Sequence, residues 1–194
     1  MRFLKIYRTA RAPFSFTFCL NVFMPIIQCT EKLRKEMALK DASLAVVQVG
    51  EPVLSLWHAN LIYIARKKCV VFVNDKTRFN FIVTDVSRVH LRELGNIFLS
   101  TVYSVLAHEG FTPAQCEKIV CENEGMRYSK TSSKSVLGTM NELVFHYENS
   151  ILEAGGVHSH EIPEIISRLN HMPISAIKFF FPVKAMRAAL ENET

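Results

Sequence analysis

Two groups of residues in this chain have the types and spacing to do chemistry. The first is Thr131-Ser132-Ser133-Lys134-Ser135, which stands where the apolar periodicity of a long helix begins. Hydroxyls and free amides at a helix start lie at the positive end of its dipole, so the string predicts an anion site. The same residue types are favoured there as plain caps, with no ligand at all. The string lacks the glycines of a phosphate-cradling loop, and Gly138 falls inside the helix, so no nucleotide motif is matched. The second group is His58, Asn60 and Asn80, with Asn74 and Thr77 at the adjoining turn. A histidine among them could work as acid or base near neutral pH. The competing reading is that these groups satisfy buried backbone, because no carboxylate is placed by spacing to orient His58. Asp75 and Asp85 are the nearest.

Other motifs carry less. Ser175-Ala176-Ile177-Lys178 matches a Ser-x-x-Lys string but enters an expected strand, where residues three apart face opposite ways. Cys116 and Cys121, with His158 and His160, suggest zinc, yet the cysteine spacing fits no knuckle and helical residues five apart diverge. Neither a metal nor a cofactor is therefore expected. Asn141, on the long helix that follows the serine string, is grouped with the candidate ligand-binding residues. His146 on that helix, and His90 and His108 on an earlier one, read as surface or helix-end residues.

The charge distribution limits the partners. The chain has 194 residues with 23 Lys+Arg against 18 Asp+Glu, but Arg2, Lys5, Arg8 and Arg11 fall in the first 23 residues, which have no acidic side chain. The remainder is within one charge of neutral, so basicity belongs to a leader and not to the body. A nucleic-acid-binding domain should carry its footprint on the domain itself. The leader has three readings: a secretory signal without a small-x-small cleavage site, an amphipathic arm, or an extension from an upstream start with Met24 as the natural beginning. The third is preferred, because Met24-Pro25-Ile26-Ile27-Gln28-Cys29-Thr30 reads as a first strand running into a helix cap. The apolar run at 14–27 is too short and interrupted to span a bilayer. Five cysteines without tight pairing (Cys19, Cys29, Cys69, Cys116, Cys121) point to a reducing compartment, the cytoplasm by default.

The length suits one domain and 49% apolar residues suffice for a core. Pro25 to Cys29 predicts a strand, and Glu31 to Ala38 a short helix capped by Thr30. Leu56 to Ala65, Cys69 to Asn74 and Phe79 to Val83 are rich in β-branched and aromatic residues and predict an antiparallel meander. A two-residue turn at Lys67-Lys68 would pair Tyr63 with Phe72, and a turn at 75–78 would pair Phe72 with Phe81. One face then collects Trp57, Ala59, Leu61, Tyr63, Val70, Phe72, Phe79, Phe81 and Val83 and is expected to be the core. The other collects His58, Asn60, Ile62, Val71, Val73, Asn80 and Ile82, and needs its own cover. Helices are expected over Ser87 to His108, Thr112 to Glu122 and Ser133 to Glu153, with an edge strand at Arg127 to Lys130. Ile162 to Asn170 predicts a helix, Ala176 to Phe181 a strand, and Pro182 to Leu190 a last helix. The expected fold is α+β: an antiparallel sheet of about four to five strands packed against three long helices. A core at 24–156 follows the leader at 1–23, and a helix-strand-helix extension at 157–194 docks on it.

The strings Ile26-Ile27-Gln28-Cys29-Thr30, Trp57-His58-Ala59-Asn60, Lys68 to Thr77 and Thr131 to Asn141 together resemble an uncharacterised bacterial family, domain of unknown function 6933. The resemblance runs from about Met24 to Gly156, with a weaker echo from Leu169 to Pro182. It implies no activity, cofactor or catalytic residue. The leading functional reading is a non-enzymatic binding or interaction module for a protein or small anionic ligand, with a homodimer also open. The alternatives are a small hydrolase or nuclease using His58 with Lys134 or a hydroxyl, and a nucleic-acid binder using Arg66, Lys67 and Lys68 with Lys76 and Arg78.

Overall fold

The computed structural model describes residues 25–48, 50–52, 54–119 and 126–192. The leader, Met24, Cys19 and Cys121 lie outside the described residues. The fold is α+β in one domain, with a five-stranded sheet in the order β4-β3-β2-β1-β5. The strands are β1 (Ile26–Cys29), β2 (Leu56–Ile64), β3 (Lys67–Asn74), β4 (Asn80–Val83) and β5 (Arg127–Lys130). The α-helices among the described residues are α1 (Glu31–Glu36), α2 (Arg88–Arg92), α3 (Leu94–His108), α4 (Pro113–Ile119), α5 (Lys134–Glu153), α6 (Ile162–Asn170) and α7 (Pro182–Asn192).

The meander β2-β3-β4 is antiparallel, but the sheet as a whole is mixed, which corrects the expectation of an antiparallel one. β1 lies between β2 and β5 and runs parallel to both. The connection through α1 lets β2 return beside β1 in the same direction, as a parallel pair requires. Ile26, Ile27 and Cys29 have no exposed surface, as expected of a strand covered on both faces. The first meander turn is also displaced. It lies at Ala65 and Arg66, both left-handed at φ 47° and 66°, and pairs Tyr63 with Lys68 and Ala59 with Phe72. Phe72 does oppose Phe81. The partner shift is four residues, an even number, so every side chain keeps its expected face although its neighbour changes.

One face packs on α3. Phe98 sits 5.1 Å from the Trp57 ring, 5.3 Å from Phe72 and 5.7 Å from Phe81, and all four side chains are fully buried. The opposite face is covered by α5 and by α6 from the C-terminal part. Tyr147 of α5 donates its hydroxyl to Asn80 Oδ1 at 2.7 Å. Asn170 closes the edge of the sheet at β4. Its Oδ1 accepts from Asn80 N at 3.0 Å and its Nδ2 donates to Asn80 O at 2.8 Å. An edge strand otherwise offers such groups to another chain.

Three helix starts follow side-chain cap chemistry, while α3 and α6, entered through Glu93 and Glu161, have no side-chain cap. Ser87 and His90 form a reciprocal box, Ser87 Oγ accepting from His90 N and His90 Nδ1 from Ser87 N. Thr112 and Gln115 form another, and Ser133 Oγ accepts from Val136 N. Thr30 does not cap α1, because its hydroxyl donates instead to Asn60 Oδ1 at 3.0 Å. The expected helix from Ser87 breaks at Glu93 into α2 and α3. The expected strand at Ala176 to Phe181 is a 3₁₀ turn, Ser175–Ile177, because Lys178 and Phe179 are both left-handed and fold the chain back to an Ile174–Phe180 bridge.

Asn170→Ala should leave the Asn80 amide and carbonyl at β4 without partners, costing on the order of 1–3 kcal/mol for each group. Urea unfolding checks the loss, and light scattering should show earlier aggregation as the edge opens.

Candidate functional site

The register places Ser129, Gln28, His58, Val73 and Asn80 in a row across the sheet, on the face beneath α5. At one end of that face the β3–β4 turn folds over the sheet. Asn74 builds the turn: its Oδ1 accepts from Lys76 N, Thr77 N and Thr77 Oγ1 at 3.2, 3.0 and 2.9 Å. Its Nδ2 donates to Leu56 O. Thr77 Oγ1 in turn accepts from Phe79 N. Arg78 closes the turn at φ 60°, a left-handed conformation that strains a non-glycine residue.

The turn carries Asp75 to the polar row. Asp75 Oδ1 lies 2.6 Å from His58 Nδ1, and Oδ2 accepts from Gln28 Nε2 at 2.9 Å. An ionised carboxylate only accepts, so Nδ1 holds a proton and a neutral ring has its lone pair on Nε2. The orienting carboxylate that spacing did not supply is therefore Asp75. Gln28 reaches onward to the start of α5, its Oε1 accepting from Ser132 N at 3.2 Å and Ser132 Oγ at 2.8 Å.

Arg78 makes the second link. Its Nη2 donates to Ser135 Oγ at 3.1 Å in the first turn of α5. Arg78 is 6% exposed, and its Nε and Nη1 are buried with no hydrogen-bond partner, as is His58 Nε2. Burial disfavours the guanidinium charge and lowers its pKa, while the nearby Asp75 charge opposes that shift.

The two residue groups singled out in the sequence thus meet, but through residues not assigned to either. His58 contacts Asp75, Ser132 contacts Gln28, and Ser135 contacts Arg78. Asn60, Asn74, Thr77 and Asn80 serve neighbouring backbone and side chains instead, Asn80 Nδ2 donating to Arg78 O at 3.1 Å. Ser133 is the α5 cap. Lys134 and Asn141 are exposed and Thr131 is half-buried, and none of the three is joined to the cluster. The signal for Arg78 lay in its position, a single cation between the Asn74–Thr77 turn and an apolar strand. A groove of about 200 Å³ lined by residues including Glu142, His146, Met172 and Phe179 shares no residue with this cluster.

The remaining candidates separate. Lys67 pairs with Asp85 and Lys68 with Glu36 at one end of β3, while Arg78 is buried beyond the other end, so the basic residues form no continuous face. No group of three or more His, Cys, Asp or Glu among the described residues is arranged to hold a metal. No helix among them is long and apolar enough to cross a membrane. Burial pushes the Cys29 thiol up to about 12 and Cys69 up to about 11, which removes both as nucleophiles near neutral pH. Alkylation at pH 8 should accordingly leave Cys29 and Cys69 unmodified in the folded protein and modify both in denaturant, as read by peptide mass spectrometry.

A family model described as Domain of unknown function (DUF6933) matches residues 26–185. No curated protein and no solved structure matches the chain.

Proposed function

The chain belongs to a family defined by a domain of unknown function, DUF6933, so its own residues must carry the reading, and we propose a binding module that takes a small anionic ligand where the Asp75–Arg78 turn meets the start of α5. The carrying observation is the Arg78 guanidinium, buried with only one of its three nitrogens bonded. A buried cation with most of its hydrogens unbonded is costly even where a nearby carboxylate such as Asp75 partly offsets its charge, and apolar replacements of buried charges are often neutral or stabilising. Holding this one in a left-handed turn adds strain. Such a cost is understandable where a ligand supplies the missing charge and acceptors. The helix start beside it, with the amides of Lys134 and Ser135 lacking intrahelical acceptors, favours a negative group at the same place.

A second reading, a small hydrolase, is favoured by the Asp75–His58 pair, which resembles the orienter and base of a nucleophilic site. Such a site needs a hydroxyl on the free ring nitrogen. The Ser132 hydroxyl is given to Gln28 and the Ser135 hydroxyl meets Arg78, so His58 Nε2 faces neither. The binding reading fits these contacts better.

Arg78→Met should leave the ligand-free melting temperature unchanged or raised by a few degrees, and abolish any small molecule that the wild type retains in native mass spectrometry. A strongly destabilised variant, together with a wild type that retains nothing, would mean that the guanidinium is only structural.

A further inference from the structure

We infer that the group bound at this site is a tetrahedral oxyanion of the phosphate type, inorganic or as a monoester; the inference rests on the reading just given and narrows it. The donors decide the class. A guanidinium carries five N–H bonds in a planar fork. Ser135 Oγ takes one hydrogen of Nη2. If that is the hydrogen beside Nη1, the Nε–Nη2 edge remains a complete pair of donors, and if it is the other, the Nη1–Nη2 edge does. Either way one two-donor edge remains, matching two oxygens of an anion.

A carboxylate would meet that edge with two coplanar oxygens, and its remaining lone pairs lie in the same plane. This site has more to give. Ser135 Oγ accepts from Arg78, so its own proton is free for a further acceptor. The Lys134 and Ser135 amides, at the first two positions of α5, add donors belonging to a different element and direction. A third oxygen out of the plane of the first two is what a phosphate offers even when esterified. Charge agrees. Arg78, the exposed Lys134 and the positive end of a 20-residue helix outweigh Asp75, both of whose oxygens already face donors on His58 and Gln28. Since Nε and Nη1 are shut off from solvent, the anion reaches them by a shift of the surrounding side chains that keeps the Arg78–Ser135 bond on which the donor count rests.

The test uses the full chain with inorganic phosphate, phenyl phosphate and acetate at matched ionic strength, read by thermal shift and by phosphorus NMR line broadening. Saturable stabilisation by a phosphate and none by acetate is expected, with binding at least ten-fold weaker in Arg78→Met and several-fold weaker in Ser135→Ala. Ser135 is exposed, so that variant keeps the test alive should Arg78→Met fail to fold. Tighter binding of phenyl phosphate identifies a monoester, and tighter binding of the inorganic ion identifies the free anion. Binding of acetate in place of phosphate overturns the oxyanion class and leaves the anion-binding module standing. Phosphate binding unaffected by both substitutions overturns this location. No binding of any probe, with nothing retained in native mass spectrometry, removes both readings.

Discussion

The carboxylate of Asp75 is the acceptor on which one end of this molecule depends. Gln28 and His58 are 1% and 0% exposed on a sheet face roofed by a helix, and each brings a polar group that water cannot reach. Leaving such a group unpaired costs about 1–3 kcal/mol. One carboxylate answers both, its two oxygens divided between the imidazole and the amide. For that to happen the β3–β4 turn must fold back over β2 and β1. Asn74 holds the tight turn that makes this geometry, and Arg78 takes the left-handed conformation that completes it. The dependence extends further, because the other end of the Gln28 amide receives Ser132 and so helps set where α5 begins. Strand β1, the turn and the helix start are held in one hydrogen-bonded chain.

The two faces of the sheet divide the work. Under α3 Trp57, Phe72, Phe81 and Phe98 are mutually packed, and the one polar group they bring, the Trp57 indole N–H, donates to Leu54 O at 2.8 Å. Under α5 a polar row interrupts the apolar residues, and its members differ in how completely they are satisfied. Asn80 has its amide, its backbone N–H and its backbone C=O all engaged, by Tyr147, Asn170 and Arg78. That end of the row is structural, since it seals the edge strand. The Gln28–His58 end is tied to the surface through Asp75, Ser132 and the turn.

How far this was legible in the sequence follows from the range of the interactions. The meander could be read because β-branched and aromatic runs and turn residues are local signals, and the faces survived a misplaced turn because the error was even. Helix starts at Ser87, Thr112 and Ser133 were legible for the same reason, cap chemistry being confined to four residues. Thr30 has the same local signature and does something else, because Asn60 across the β1–β2 pair offers its hydroxyl a partner. The parallel placement of β1 and β5 was not legible, since β1 is buried on both faces and shows no alternation, and β5 is a four-residue, partly exposed edge strand too short to show one. His58 and the serine string were visible as candidates but not as neighbours. Joining them requires Gln28 to stand opposite His58 and to reach Ser132, and the Asp75 turn to fold over both, and those pairings span 17 to 104 positions.

Arg78 gains its meaning from the residues around it. Within the same seven-residue stretch, Asn74, Thr77 and Asn80 are buried polar residues whose side chains are engaged by the turn and by helices. The fold is therefore able to provide partners at this position, and it has done so for every short polar side chain there. Arg78 alone in the stretch has buried nitrogens without acceptors, although a methionine would fill similar volume with no charge to solvate. A general looseness in packing would have left the asparagines unsatisfied as well. Arg34 and Arg127 each leave only Nε without a partner, whereas Arg78 leaves two nitrogens and stands beside the start of α5, where the field favours an anion. That concentration of unmet donors on one buried side chain is the feature on which the anion-binding proposal rests.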